Sequence, residues 1–203
     1  IPVHALIVLG YVLAEGNLCH PHGFYYYAKD DREVRDYVAA LEQFENTRAT
    51  IDRSRAVASV YAARCDVRQP SAAVEWLRGL GCYGKKASQK VIPDVVFELS
   101  NDELAVVLAK MFQGDGSMTY QHDAPSVFYA TSSERLAHQF QHLLLRFGVL
   151  SVIHRKQFRY RGGLRPGFTV AITRFDNLEK FIAAFSVHFV GQKRDAAQRI
   201  TAT

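Results

Sequence analysis

Two acids stand in positions where a helix would disfavour them. The stretch "LGYVLAEG", residues 9–16, reads as an apolar helix ending on Glu15 and then Gly16. "LAKMFQGDG", residues 108–116, repeats that ending, with Asp115 and Gly116 one hundred positions beyond Glu15 and Gly16. The carbonyl end of a helix already carries partial negative charge, so a carboxylate there is disfavoured by about 0.3–1 kcal/mol. Gly10 and Ala14 lie four residues apart, hence on one helix face, and Gly114 is the counterpart of Ala14. Small residues on that face let two helix backbones approach closely and place Glu15 beside Asp115. Two carboxylates at two negative helix ends repel, and a divalent cation relieves both repulsions. Hard carboxylate oxygens suit Mg²⁺. A cation held there beside a phosphate acidifies a water and shields the charge it attacks, which is phosphodiester hydrolysis. The plainer alternative makes each glycine a helix C-cap after an exposed acid. Its occurrence twice in matched contexts weighs against that.

The elements around the acids repeat as well. After Gly16, "NLCHPHGFYYYAK" predicts a hairpin, "DDREVRDYVAALEQF" a helix, "TRATIDRSRAVASVYAAR" a strand pair and "PSAAVEWLRGLG" a closing helix. After Gly116 the same order follows in "GSMTYQHDAPSVFYATS", "SSERLAHQFQHLLLRFG", "VLSVIHRKQFRYRGGLRPGFTVAITR" and "DNLEKFIAAFSVHF". Phe128-Tyr129-Ala130 is set against Tyr26-Tyr27-Ala28, Ile51 and Arg53 against Ile153 and Arg155, and Arg64 against Arg174. The prediction is an α+β chain of two pseudo-symmetric αββαββα repeats, at 1–92 and 101–203. A linker at 93–100 contains Pro93 and leads to an Asn101-Asp102 helix cap. Internal repetition outweighs any single local propensity.

This order, with an acid and glycine closing each first helix, resembles the LAGLIDADG homing endonucleases, and most closely the endonuclease domain found inside inteins. The signature helices are "LGYVLAEG" and "LAKMFQGDG"; "KVIPD" and "YATSSERLAHQFQHLLLRFGVLS" resemble the blocks that follow them. The resemblance covers nearly the whole chain. It implies two saddle-shaped antiparallel sheets lying in the DNA major groove, helices 7–15 and 104–115 at a pseudo-two-fold axis, and a monomer cutting both strands of a long asymmetric double-stranded DNA target. It also implies Glu15 and Asp115 as catalytic residues that hold the metal together with Ala14 and Gly114, and Mg²⁺ as cofactor with Mn²⁺ as a substitute. Lys90 of "SQKVIP" matches the family's catalytic lysine, and by repeat position Lys193 of "VGQKRDAA" is its partner. Two positions depart from the pattern. Glu15 replaces the commoner aspartate, and Lys110 stands where the motif has an inner glycine, so its stem must snorkel away from the helix crossing. Splicing needs an amino-terminal Cys or Ser and a terminal His-Asn pair. Ile1 and "ITAT" provide neither, so the expectation is an endonuclease alone.

The bulk numbers agree with an anionic partner. The 203 residues carry a formal charge of +5. Residues 149–174 contain Arg155, Lys156, Arg159, Arg161, Arg165 and Arg174 and no acid; residues 47–68 carry five arginines, Arg53 and Arg55 among them, against two aspartates. Such strands predict a DNA-facing basic surface rather than a merely solvated edge, with Tyr25 and Tyr27 touching bases or sugars. Cys19, Cys65 and Cys82 have no paired spacing, which predicts buried thiols in a reducing, cytoplasmic setting. "CHPH" at 19–22 is too tight for a zinc finger and reads as a hairpin tip, and Trp76 reads as core. No apolar run is long enough to span a membrane. The competing function on the same fold is a silent DNA- or RNA-binding module, a maturase or a transcription regulator. An unrelated protein-interaction domain is the third reading, which the acid-free arginine strand opposes.

Overall fold

Helix α1 (Val3–Glu15) is apolar almost all round, and a helix of that kind is stable only when buried on every side. Its partner is α4 (Asn101–Asp115), begun by a Ser100 capping box: the Ser100 hydroxyl accepts from the Glu103 amide while the Glu103 carboxylate reaches back to Ser100. The cap is thus Ser100, one residue before the expected Asn101-Asp102. Both helices also start earlier than 7 and 104. The computed structural model describes residues 1–121, 124–160 and 162–201.

A Cβ added at Gly10 would lie 2.6 Å from the Lys110 Cβ, and one at Gly114 would lie 2.5 Å from the Ala14 Cβ. The two helices therefore touch backbone to backbone along the predicted small-residue face. Lys110 does not snorkel to solvent. It is 3% exposed, ion-pairs with Asp36 at 2.8 Å and donates to the His188 carbonyl at 2.6 Å. The departure from glycine is absorbed by a buried ion pair.

Each half then builds one antiparallel sheet. In the first, β1 (Gly16–Asn17), β2 (Tyr25–Ala28), β3 (Thr47–Asp52) and β4 (Ala58–Arg64) lie in the order β1-β2-β4-β3. In the second, β5 (Gly116–Gln121), β6 (Ala124–Thr131), β7 (Val152–Tyr160) and β8 (Gly163–Ile172) lie in the order β5-β6-β8-β7. Helices α2 (Asp31–Leu41), α3 (Ala72–Gly79), α5 (Glu134–Leu144) and α6 (Phe175–Phe185) complete the repeats, capped at their starts by Asp30, Ser71 and Ser133 for the first three. One apolar core runs through both halves, with Tyr26 and Val60 from one sheet and Tyr129 and Val170 from the other.

The register aligns the repeats. Gly16 pairs with Tyr26 and Gly116 with Tyr129; Ile51 pairs with Val60 and Ile153 with Val170. Ile51 and Ile153 match as expected. The tyrosines do not: Tyr129 is the counterpart of Tyr26, one residue off the predicted alignment. A one-residue slip sends a side chain to the other face of a sheet, and Tyr26 and Tyr129 are the fully buried pair. A further helix, α7 (Gly191–Thr201), was not anticipated and has no counterpart in the first half.

Candidate functional site

Glu15 and Asp115 end α1 and α4, and the contact between Ala14 and Gly114 brings those ends together. A Cβ at Gly114 would sit 3.6 Å from the Glu15 Cγ. Burial, and then the neighbouring Glu15 carboxylate, push the Asp115 pKa well above the usual aspartate range. Gly16 and Gly116 do not act as left-handed caps, since their φ values are −83° and −81°. A side chain at either would collide with the preceding turn, at the Val12 or the Phe112 carbonyl. These glycines let each chain turn sharply from helix into strand directly behind its acid.

Two lysines, Lys90 buried and Lys193 half-buried, answer the helix-dipole problem. Lys90 is 5% exposed and donates from Nζ to the carbonyls of Val12 at 2.9 Å and Ala14 at 2.6 Å, at the end of α1. Lys193 donates to the Gln113 carbonyl at 2.5 Å, at the end of α4. Each supplies a cation where the helix is negative. Burial pulls both pKa values down, opposed by Asp115 and Glu15 for Lys90 and by Glu33, Asp115 and Glu15 for Lys193. The Ser133 hydroxyl donates to the Lys90 carbonyl at 2.7 Å, so α5 of the second half fixes a lysine of the first. Lys193 is delivered by α7. That helix begins at Gly191, whose φ is +59° and whose Cα lies against the Asp30 carboxylate, and Asp30 also accepts from the Gln192 amide at 3.1 Å.

Two recesses flank the acid pair. One, of about 590 Å³, is lined by Glu15, Asp115, Lys90 and Lys156. The other, of about 440 Å³, is lined by Glu15, Glu33, Asp30 and Lys193. Glu33 and Gln113 are the residues that sequence reasoning missed. The buried Gln113 amide donates to Glu33 at 2.6 Å and accepts from the Val190 amide at 3.0 Å, tying α2, α4 and the approach to α7 together. Glu33 was legible only as an acid in the first turn of a helix. Among the described residues no three His, Cys, Asp or Glu side chains converge on one point. The donor set is therefore two hard carboxylates, too few to enclose a cation and well suited to one that shares its remaining positions with phosphate oxygens and water. The Ala14 carbonyl, an expected ligand, is already engaged by Lys90.

Strand parity divides the basic residues. Directly opposed residues of an antiparallel pair share a face. Lys156 pairs with Gly167 and Arg165 with Phe158, on the face turned away from the core, where the Lys156 ammonium sits 5.9 Å from the Phe128 ring centre. Arg155 pairs with the buried Phe168, and Arg159 shares its parity, so both belong to the other face at the far end of the hairpin. In the first sheet Tyr25 and Tyr27 face outward, Arg53 ion-pairs with Asp31, and Arg55 is exposed in the β3–β4 turn. Arg174 pairs with Asp176 at 3.1 Å before α6. Arg161 lies outside the described residues. Cys82 is buried, but Cys19 and Cys65 are exposed in connecting loops, contrary to expectation. No described helix is long and apolar enough to cross a membrane.

Comparison with known proteins places this geometry. Residues 102–185 match the LAGLIDADG-like domain. The replicative DNA helicase DnaB of Rhodothermus marinus is 26% identical over 201 residues, 95% of this chain and 21% of the helicase. RecA of Mycobacterium tuberculosis is 45% identical over 76 residues, 36% of this chain and 10% of that protein. The chain thus spans about a fifth or less of the length of these curated relatives. Among solved structures, I-DmoI in complex with DNA and Mn gives a TM-score of 0.62 at 12% identity, covering 90% of this chain and 96% of that one. Full-length WhiA from Thermatoga maritima gives 0.58 at 13% identity, covering 99% and 61%. The fold is that of the homing endonucleases.

Proposed function

We infer, from the match of residues 102–185 to the LAGLIDADG-like domain and from the geometry of the acid pair, a site-specific, Mg²⁺-dependent endonuclease that hydrolyses both strands of double-stranded DNA. The observation that carries the reading is the meeting of Glu15 and Asp115 at two helix ends, each end backed by a lysine that donates to its last carbonyls. Glu15 and Asp115 would hold the cation, which would supply an acidified water and charge neutralisation at the phosphate. Lys90 and Lys193 oppose the rise that burial imposes on the Asp115 pKa and set a positive potential on the developing phosphorane charge. Lys156 and Arg165 contact the duplex from the second sheet, with Arg155 and Arg159 reaching the backbone from the hairpin end.

The intein type is proposed because the chain corresponds to a minor part of two proteins as unlike as DnaB and RecA, as a module inserted into different hosts would. The fold is shared by WhiA, which does not carry the endonuclease name, so the fold alone does not decide for cleavage and binding without cleavage is the second reading. Both acids and both lysines favour cleavage, because binding alone needs none of them. The test is cleavage selection from a randomised DNA library with Mg²⁺, and in parallel with Ca²⁺. Recovery of one cut sequence family with Mg²⁺ supports the endonuclease; enrichment by binding with no cutting under either ion assigns the binding module.

A further inference from the structure

The outward face of the first sheet differs chemically from that of the second. Tyr25 and Tyr27 from β2 and Tyr61 from β4 form a continuous aromatic surface there. Tyr25 and Tyr27 are stacked at 6.1 Å with their planes 10° apart, and Tyr25 lies directly opposite Tyr61 with ring centres 4.8 Å apart. The His20 ring closes the edge, at 5.8 Å from Tyr25 and 5.4 Å from Tyr61. Gly23 lets the loop backbone lie flat on the Tyr61 ring, since a Cβ there would be 2.6 Å from it. No hydroxyl of these three tyrosines is hydrogen-bonded within the described residues, so each is available to a ligand. On that face β3 presents both Arg48 and Asp52, and Arg53 beside it is held by Asp31. By the register the corresponding residues of the second sheet are Phe128, Ala130 and Ala171, with the Lys156 ammonium 5.9 Å from the Phe128 ring centre.

We propose that this tyrosine platform is a non-ionic reading surface for the DNA half-site under β1–β4, recognising thymine methyl groups in the major groove. The proposal rests on the DNA-binding reading above and names the chemistry of one half of it. Its occupant follows from continuity, because the platform is the outward face of the first sheet, as the surface of Phe128, Lys156 and Arg165 is of the second, on either side of the acid pair. Packed rings lose little conformational entropy on contact and present apolar edges. The thymine C5-methyl is the apolar feature of the major groove, and an aromatic or aliphatic side chain is its usual partner. Binding through such contacts releases no counterions, unlike binding through Lys156 and Arg165.

The test uses the selected target without cleavage, in Ca²⁺, with deoxyuridine replacing thymidine in each half in turn and affinity measured across a salt series. Wild-type affinity is expected to fall several-fold for substitution in one half only, a loss in the range of single-position changes. Tyr25→Ala and Tyr27→Ala should each weaken binding roughly tenfold, abolish that deoxyuridine effect and leave the salt slope unchanged. Lys156→Ala should instead lower the slope by about one. Tyr61→Phe, which keeps the ring, should retain the thymine effect. No deoxyuridine effect on the wild type, or a lowered slope in the tyrosine variants, overturns the proposal even if no variant folds well, because the first measurement needs none. Failure of the wild type to bind any DNA overturns the DNA-binding reading itself, and with it this inference.

Discussion

Asp115 is the residue at which structure and chemistry pull hardest against each other. Its carboxyl is buried, faces Glu15, and lies at the negative end of a helix, and its pKa is raised accordingly. A carboxyl with a raised folded-state pKa binds protons more tightly folded than unfolded. Its contribution to stability is therefore present below the ordinary aspartate pKa and is lost as pH rises through the raised value. Metal-free protein should accordingly melt at a higher temperature as pH falls from neutral toward that of a normal aspartate, and Asp115→Asn should flatten this dependence. At neutral pH the amide should also melt higher, by at least the about 0.3–1 kcal/mol of helix-end repulsion removed. Scanning calorimetry across pH checks both, and a wild-type profile unchanged by the substitution would contradict the assignment. Lys90→Met removes the cation from two α1 carbonyls. It should destabilise the fold by about 1–3 kcal/mol, the cost of unsatisfied buried polar groups, with the change in Tm as readout.

At the scale of elements, the α1–α4 contact and the α7 clasp position everything else. Gly114→Ala places a methyl 2.5 Å from the Ala14 Cβ, so the helices must part. The expected cost is about 1–3 kcal/mol from overpacking, read by denaturant unfolding. Gly191→Ala forces a side chain into positive φ and against Asp30. It should cost about 1 kcal/mol and speed hydrogen exchange in α7, with the α4 amides unaffected. The sequence made the first contact legible, because Gly10, Ala14 and Gly114 recur at helical spacing. It hid the second: "GQKRDAAQRIT" is polar, with weak apolar periodicity, and its docking depends on a carboxylate 161 positions earlier. Glu33 and Gln113 were invisible for the same reason. The split of Arg155 from Lys156 turns on strand parity, which composition does not contain and only a register anchor such as Ile153 opposite Val170 fixes. Lys90 was findable because its block lies at a fixed place between the repeats.

The whole molecule is a repeat whose halves have diverged where they meet their partner. The fold, the acid pair and the repeat order were all readable from the chain, whereas the contrast between a tyrosine-faced sheet and a basic one needed the register. That contrast predicts that substitutions in the second sheet and its hairpin change the salt dependence more than substitutions in the tyrosine face of the first. The central claim, that Glu15 and Asp115 together perform hydrolysis, lies at this scale too, because it requires both halves at once. It is tested most directly by measuring affinity and single-turnover cutting of one selected target by wild type, Asp115→Asn and Glu15→Gln. Near-unchanged affinity with cleavage reduced by orders of magnitude in both variants is the predicted result. Near-normal double-strand cleavage by either variant would contradict it.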